Sequence, residues 1–205
     1  MIAVIDYGVG NLFSLCSSLE AIGAQSVVTS DPDVIKQADK IILPGVGAFG
    51  DAIRKLRKTG LDEVIINEVA AGKPIFGICL GMQLLFEKSY EYGEHTGLGL
   101  LRGSVVPMDG SIEAGLKIPH IGWNALKVER KHPLLKYTAE GYHVYFVHSY
   151  FAVDCDDSLV ASSEYGARVT ALVASGNVAG AQFHPEKSGE VGLNILRAFC
   201  EWEGK

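Results

Sequence analysis

The sequence predicts an α/β fold: an open, mostly parallel central sheet flanked by helices, with antiparallel additions in its second half. In the first half, short apolar segments alternate with segments of helical periodicity, as in a parallel sheet covered on both faces. In the second half, apolar segments follow one another with only turns between them. The chain has 205 residues, 48% of them hydrophobic. This is enough for one domain with a sizeable core, which we expect to span residues 1–205.

Continuous apolar segments in the first half are the predicted parallel strands, at residues 2–5, 27–28, 41–43 and 75–78. The first intervening helix is predicted to begin after Asn11, a good N-cap residue, and to end at Gly23. Further helical segments are predicted at residues 32–38, 52–58, 61–71 and 82–87. In sheets of this kind the active site lies at the carboxyl ends of the strands, so residues that directly follow a strand are the candidates for function.

Several segments of the second half are expected to form antiparallel hairpins added to this sheet. The predicted strands are residues 101–108, 123–128, 144–147, 158–163, 169–174 and 179–183. Residues 189–202 predict a closing helix, because Val191, Ile195, Leu196 and Phe199 recur on one face.

Cys79 lies at a predicted strand-to-helix corner, between Gly77 and Gly81. This pattern is the thiol counterpart of the serine nucleophile elbow, in which flanking side chains would collide with the crowded backbone. The following helix directs its N–H groups at the sulfur and favours the reactive thiolate, so we predict that Cys79 is a nucleophile. The other cysteines receive no catalytic role: Cys16 and Cys200 are interpreted as apolar packing residues, and Cys155 lies in an acidic turn.

His184 follows the last predicted strand, and Glu186 stands two residues further on. Pro185 between them restricts the backbone, so that both side chains can lean the same way. The carboxylate can then hold one ring nitrogen while the other faces a thiol. A His-x-Glu pair alone is common on surfaces, but together with the elbow it predicts a Cys79–His184–Glu186 triad.

Acyl transfer also requires an oxyanion hole. The backbone N–H of Leu80, directly after the nucleophile, is the first candidate donor. The segment Pro44-Gly45-Val46-Gly47 follows a neighbouring strand at the same sheet edge, and its glycines allow the backbone to present N–H groups. Val46 and Gly47 are therefore further candidates, provided that this loop abuts Cys79.

Other classes of function are disfavoured. The net charge of −6 and the lack of a Lys/Arg cluster argue against nucleic-acid binding. No apolar segment is long enough to span a bilayer, and residues 1–6 predict a strand rather than a signal peptide. Cysteines without paired or metal-like spacing indicate a reducing compartment, and we expect a cytosolic protein. Residues 8–13 lack the third glycine of a dinucleotide-binding turn, and no cofactor or metal is expected.

These motifs resemble those of the class I, triad-type glutamine amidotransferases, whose signatures are the elbow at residues 77–83 and the His184-Pro185-Glu186 pair. Further segments resemble the glutaminase subunits of imidazole glycerol phosphate synthases. They lie at residues 6–11, 44–49, 119–124, 145–150 and 182–188, spread over nearly the whole chain.

The resemblance implies hydrolysis of glutamine to glutamate and ammonia through a cysteinyl thioester. The ammonia would pass to the cyclase subunit of a heterodimer, which forms imidazole glycerol phosphate and aminoimidazole carboxamide ribotide in histidine biosynthesis. The resemblance also implies that several residues bind glutamine: Gln83, Glu91, His148, Ser149 and Tyr150. It favours Trp123 and Asn124 as partner-interface residues, although core packing of Trp123 is equally compatible with the sequence.

Three alternatives remain open at this point. The chain can be a class I glutaminase subunit of another synthase, with the same chemistry and a different partner. It can be a stand-alone thiol hydrolase of related fold, which would not prefer glutamine. It can also be a catalytically silent binding subunit, a reading that the intact Cys79, His184 and Glu186 disfavour.

Overall fold

The computed structural model describes residues 1–204 and has an eight-stranded sheet at its centre. The strands are β1 (Ile2–Ile5), β2 (Ser26–Thr29), β3 (Lys40–Leu43), β4 (Ile75–Ile78), β5 (Phe86–Ser89), β6 (His95–Thr96), β7 (Leu101–Pro107), β8 (His120–Ala125), β9 (Lys127–Val128), β10 (His143–His148), β11 (Tyr150–Val153), β12 (Leu159–Glu164), β13 (Arg168–Ser175) and β14 (Val178–Ala181). The helices are α1 (Leu12–Ala21), α2 (Pro32–Gln37), α3 (Phe49–Thr59), α4 (Leu61–Ala70), α5 (Leu80–Leu84) and α6 (Gly189–Glu201).

The central sheet has the strand order β2-β1-β3-β4-β14-β13-β12-β9. The strands from β2 to β14 run parallel, and β13, β12 and β9 continue the sheet in antiparallel fashion. The predicted fold class is therefore confirmed. Its physical basis is that β1, β4 and β14 are buried along their whole length, as their apolar sequences require.

Helices cover both faces of the sheet. One hydrophobic cluster packs α2, α3, α4 and α5 against one face, and a second packs α1 and α6 against the other. Asn11 caps α1 as predicted, because its side chain accepts from the N–H of Ser14. None of the helices within residues 1–204 combines the length and the apolarity needed to cross a membrane.

The helix predicted over residues 82–87 is wrong at its end, since α5 stops at Leu84 and the strand β5 begins at Phe86. The carbonyl groups that a longer helix would use are taken by another segment. The N–H of Leu98 donates to the Leu84 carbonyl at 2.9 Å, and the N–H of Leu100 donates to that of Leu85 at 2.8 Å. A tertiary contact therefore ends this helix early.

The second-half strands divide between three sheets. The strands β9, β12 and β13 extend the central sheet in antiparallel fashion, as expected for the added hairpins. The strands β8 and β10 instead form a separate antiparallel pair, and β11, β7, β5 and β6 form a third sheet. The pair of β8 and β10 is tied to the segment after β14, because the N–H of His184 donates to the carbonyl of Tyr145 at 2.9 Å.

Candidate active site

Cys79 joins β4 to α5 in a strained backbone conformation, with φ of 52° and ψ of −110°. A positive φ is costly for a residue other than glycine, and such strain is typical of nucleophile elbows. The neighbouring glycines make the corner possible. A Cβ atom on Gly81 would lie 1.8 Å from the Leu43 carbonyl oxygen, and one on Gly77 would lie 2.6 Å from the carbonyl oxygen of Gly81.

The predicted triad residues meet in space, although more than a hundred residues separate Cys79 from His184. The Nδ1 atom of His184 lies 2.7 Å from Glu186 Oε1. The Cys79 sulfur is near enough to the His184 ring to favour its protonated form, and both residues line the same cavity. Glu186 Oε2 is buried and has no hydrogen-bond partner within residues 1–204, so the carboxylate charge faces His184 without competition from another donor.

Two opposing effects set the protonation of His184. Burial disfavours the charged ring, but the hydrogen bonds and negative charges of Cys79 and Glu186 outweigh it and raise the pKa of His184 to about 9. The ring is therefore an imidazolium at neutral pH. A protonated histidine beside the sulfur is the arrangement of an activated cysteine nucleophile.

The backbone around His184 is held by Ser188. The Ser188 hydroxyl donates to the His184 carbonyl at 2.6 Å and accepts from the N–H of Tyr145 at 3.0 Å. The segment Pro185–Lys187 forms a single 3₁₀ turn, which returns Glu186 to the side of the ring. The sequence argument from Pro185 anticipated this local geometry, whereas the role of Ser188 was not anticipated.

Sequence reasoning also gave no role to Gln182, which is fully buried beside the nucleophile. Its Nε2 donates to the Cys79 sulfur at 3.7 Å, and its Oε1 accepts from Gln83 Nε2 at 3.0 Å. The available signal was a polar residue at the end of an otherwise apolar strand, two positions before His184. A buried amide in such a position must be hydrogen-bonded.

The predicted oxyanion loop abuts the elbow. Val46, Gly47 and Leu80 line the same cavity as Cys79. A Cβ atom on Gly45 would lie 2.8 Å from the backbone nitrogen of Gly81, so this approach requires glycine.

Tyr7 holds the start of this loop. Its hydroxyl donates to the Pro44 carbonyl at 2.8 Å, and burial followed by the nearby Cys79 charge raises the pKa of the phenol. The phenol therefore remains a hydrogen-bond donor at any physiological pH. Sequence reasoning did not single out Tyr7 for this role.

The cavity in front of Cys79 has a volume of about 590 Å³. The residues predicted to bind glutamine all line it: Gln83, Glu91, His148, Ser149 and Tyr150. Charged groups of both signs, including Glu91 and Lys187, also line the cavity, so it can hold a small molecule that carries both charges of an amino acid. The structure therefore brings these residues together with the triad in one cleft.

Glu91 connects this cavity to the oxyanion loop. Its Oε2 accepts from the N–H of Phe49 at 2.5 Å, at the N-terminus of α3, where the N-cap residue Ala48 offers no side-chain acceptor. Burial raises the pKa of Glu91, and the N–H of Phe49 opposes that shift. The helix α3 therefore begins directly after the loop that carries Val46 and Gly47, and the pocket residue Glu91 caps its N-terminus.

Trp123 and Asn124 lie outside this cavity, on β8. Trp123 is 53% exposed, and its ring packs edge-on against that of Tyr145 at 6.0 Å. The side chain of Asn124 points inward instead, towards His120 and the carbonyl of Glu164. Within residues 1–204, no group of three or more His, Cys, Asp or Glu side chains is arranged to hold a metal ion.

The chain is similar to known proteins over nearly its whole length. The family model described as glutamine amidotransferase class-I matches residues 3–201. The chain is 54% identical to the imidazole glycerol phosphate synthase subunit HisH of Bacillus licheniformis, with 98% of this chain and 96% of that protein covered. It is 47% identical to the subunit of the same name from Wolinella succinogenes, with 98% and 99% covered.

Solved structures support the fold. A crystal structure described as a glutamine amidotransferase superimposes with a TM-score of 0.78 at 20% sequence identity, and all of both chains is covered. At that identity the similarity concerns the fold alone.

Proposed function

The chain belongs to the class I glutamine amidotransferases, among the HisH subunits of imidazole glycerol phosphate synthase, and on this premise we propose that its cleft hydrolyses glutamine by way of Cys79, His184 and Glu186. The observation that carries the proposal is the meeting of these side chains, with Cys79 and His184 lining the cavity of about 590 Å³ and Glu186 bonded to His184 behind them. Ammonia and glutamate are the products.

In the first half of the reaction, the sulfur of Cys79 attacks the side-chain carbonyl carbon of glutamine. The carbonyl oxygen becomes an oxyanion, which the N–H groups of Leu80 and of the Val46–Gly47 segment stabilise. His184, protonated at neutral pH, donates its proton to the leaving nitrogen. The carbon–nitrogen bond breaks, ammonia leaves, and a glutamyl thioester remains on Cys79.

In the second half, a water molecule replaces ammonia in front of the thioester. His184 is now neutral and takes a proton from this water as it attacks. The carbon–sulfur bond breaks, glutamate leaves, and the thiolate and the imidazolium are restored. Glu186 holds the ring through Nδ1 in both steps, so that the other ring nitrogen always faces the reaction.

The remaining pocket residues bind the amino-acid part of glutamine. The carboxylate of Glu91 lies at the cavity wall and suits the ammonium group, while Ser149 and Tyr150 offer polar groups for the remaining contacts. Both ring nitrogens of His148 already have partners, so His148 contributes to the shape of the cavity wall. Gln83 lies between Tyr150 and Gln182 and supports the floor of the pocket.

A cyclase subunit is the proposed recipient of the ammonia. Ammonia in neutral water is mostly ammonium, a poor nucleophile, and must travel shielded from solvent. The outward face of β8 exposes Ile121 and Trp123, at 58% and 53%, and such apolar residues are typical anchors of an interface. Asn124, the other predicted interface residue, follows Trp123 on β8, but its side chain is turned away from this face towards His120. A reducing cytosol is the proposed location, because a catalytic thiol must stay reduced.

The decisive experiment measures glutamate release by the complex with the cyclase subunit, for the wild type and for Cys79→Ala. We expect a loss of about 10⁴-fold or more, because the covalent step is removed. Cys200→Ala is the matched control, since it deletes a thiol on α6 far from the cleft. Retained activity in Cys79→Ala would refute the proposal.

The identity of the partner needs a separate experiment. We expect the cyclase subunit to co-purify with the chain and to stimulate glutaminase activity, since the glycine-rich oxyanion loop has the freedom to rearrange. Equal rates with and without the cyclase and its ligand would contradict the stimulation. Co-purification with a different synthase would favour the first alternative, and hydrolysis without preference for glutamine would favour a stand-alone thiol hydrolase.

A further inference from the structure

Polar side chains, joined at one point through the backbone carbonyl of Tyr150, form a chain of contacts between β8 and the nucleophile. We call it the polar chain, and it starts at the carbonyl of Glu164 and ends at the sulfur of Cys79. Its members, in order, are Asn124, His120, His148, Gln83 and Gln182. All except Asn124 are buried. Buried polar networks are costly unless every member finds a partner, so the arrangement calls for a physical account.

The outer half of the polar chain runs between two backbone carbonyl groups. Asn124 Nδ2 donates to the Glu164 carbonyl at 3.1 Å, and Asn124 Oδ1 lies 2.9 Å from His120 Nε2. His120 Nδ1 lies 3.1 Å from His148 Nε2. His148 Nδ1 in turn lies 2.8 Å from the carbonyl oxygen of Tyr150.

The inner half leads from the same carbonyl to the nucleophile. The Nε2 group of Gln83 donates to the Tyr150 carbonyl and to Gln182 Oε1, both at 3.0 Å. Gln182 Nε2 then donates to the Cys79 sulfur at 3.7 Å. The Tyr150 carbonyl is therefore the point at which the histidine pair meets the amides that contact the sulfur.

The outer half has one N–H hydrogen fewer than its contacts require. Its four contacts each need one hydrogen. Burial lowers the pKa of His148 to about 3 and also lowers that of His120, so both rings are neutral at pH 7 and carry one N–H each. Asn124 adds one N–H, which makes three hydrogens for four contacts.

The position of the missing hydrogen follows from burial. His120 and His148 are buried, whereas Asn124 is only half-buried. An unsatisfied contact costs least at the end that water can reach. We therefore place no hydrogen in the contact between Asn124 Oδ1 and His120 Nε2. The two remaining contacts of the histidines are then satisfied when His120 and His148 each carry their hydrogen on Nδ1.

We propose that His120 is a positioning residue for the amide-cleaving reaction: its Nδ1–H holds His148 in the tautomer that donates to the Tyr150 carbonyl, and thereby keeps Gln83 and Gln182 aligned on the Cys79 sulfur. The inference rests on the proposed function only for its effect on the rate. The fixed tautomer of His148 is independent of it.

A packing role is the competing explanation. The His120 ring is stacked between Phe146 and Tyr165, with centroid distances of 4.8 and 4.0 Å. If packing were its whole contribution, an aromatic replacement would serve as well as histidine.

Two substitutions separate these explanations, because asparagine places an N–H near the position of Nδ1 and glutamine places one near that of Nε2. We expect His120→Gln to lower kcat/KM for glutamine in the cyclase complex by about 10- to 100-fold, the effect of leaving a buried acceptor without its donor. His120→Asn should recover at least tenfold of that loss. His120→Phe, which keeps the stack alone, should resemble His120→Gln.

The tautomer of His148 provides a readout that does not depend on activity. In ¹⁵N-labelled wild-type protein we expect its hydrogen on Nδ1, retained in His120→Asn and partly lost in His120→Gln. A hydrogen on Nε2 in the wild type would overturn the proposal, even if the variants did not fold. Equal kcat/KM for the asparagine and glutamine variants, or wild-type kinetics for His120→Phe, would also overturn it. Failure of the proposed function would show differently, as glutaminase activity that survives Cys79→Ala.

Discussion

Glu186 Oε1 lies 2.7 Å from His184 Nδ1, and the two side chains are only 4% and 3% exposed. Water therefore neither screens this pair nor replaces either partner. The carboxylate fixes the orientation of the ring and supports its positive charge, which helps to keep on His184 the proton that the proposed reaction delivers to the leaving nitrogen.

The first prediction concerns Glu186→Gln. Loss of the carboxylate removes a cause of the raised pKa of His184, so the alkaline decline of kcat/KM, expected near pH 9, should move to lower pH. The rate should also fall by about 10²- to 10⁴-fold, since the ring loses its orienting partner. A pH–rate profile of glutamate release between pH 6.5 and 10 measures both effects.

Glu190→Gln is the control for this experiment, because it makes the same charge change at an exposed position of α6. We expect its profile to match that of the wild type. If the alkaline decline of kcat/KM stayed at the same pH in Glu186→Gln, the assignment of the imidazolium to His184 would be contradicted.

The second prediction concerns selective modification of thiols. Burial raises the pKa of the Cys16, Cys155 and Cys200 thiols, so they are protonated and slow to react at neutral pH. Cys79 instead opens onto the cavity beside His184, which is protonated at neutral pH. One equivalent of a glutamine-like electrophile at pH 7 should modify Cys79 alone, as peptide mass spectrometry would detect. Comparable labelling of any other cysteine would contradict this expectation, and Cys79→Ser should remain unlabelled.

The third prediction concerns Tyr7→Phe, which removes the hydrogen bond to the Pro44 carbonyl. An acceptor left buried without its donor should lower the free energy of unfolding by about 1–3 kcal/mol. Looser placement of the oxyanion loop should reduce kcat by about 3- to 30-fold. KM should change less, because Gln83 and Glu91 are held by other contacts. Urea denaturation and steady-state kinetics test these effects.

Tyr142→Phe serves as the matched control, because Tyr142 is 46% exposed and the same hydroxyl is removed far from the loop. Its unfolding free energy should stay within about 0.5 kcal/mol of the wild type. Identical behaviour of the two variants would show that Tyr7 does not hold the loop.

The fourth prediction concerns acid stability at His132. Burial, followed by the charge of Arg130, lowers the pKa of His132 to about 4. Between pH 6.5 and 4 the unfolded chain therefore binds a proton there that the folded protein does not, and stability falls as the pH falls. His132→Asn keeps an acceptor for the N–H of Leu134 but does not titrate.

Urea denaturation at pH 4.5 and 7.5 tests this linkage. The wild type should lose roughly 1–2 kcal/mol more than His132→Asn on acidification, because the variant lacks the depressed histidine; full linkage would give about 2.5 kcal/mol, and the partial exposure of His132 reduces it. At pH 7.5 the ring is neutral in both folded and unfolded states, so the comparison there isolates the effect of packing. If the wild type and His132→Asn lost the same unfolding free energy between pH 7.5 and 4.5, the lowered pKa of His132 would be contradicted.

The sequence predicted the fold class, which is confirmed, and proposed a triad whose side chains the structure brings together, because both depend on local patterns. The apolar segments at β1, β3 and β4 identify buried parallel strands by their composition, and the glycines beside Cys79 identify a crowded corner. The spacing of His184 and Glu186 about a proline limits the backbone between them to a short turn. Each of these features depends on residues that lie within about ten positions of one another in the sequence.

The missed features depend on partners that are distant in sequence. The helix α5 ends early because N–H groups of residues 98–100 take its last carbonyls. Gln182 and Tyr7 look like ordinary polar ends of strands until Cys79 and Pro44 are seen beside them. His120 had no assigned role, since nothing in its own segment indicates that its ring bonds to His148.

The sequence by itself determined the type of sheet and identified Cys79, His184 and Glu186 as the candidates for the proposed reaction, because strand burial and corner geometry depend on neighbouring residues. Only the tertiary structure decided which polar atoms touch, and hence that His184 is protonated and that a hydrogen-bonded chain links β8 to the sulfur. The physical reason is that hydrogen bonds and pKa shifts fall off within a few ångströms, so they depend on which distant segments folding brings together.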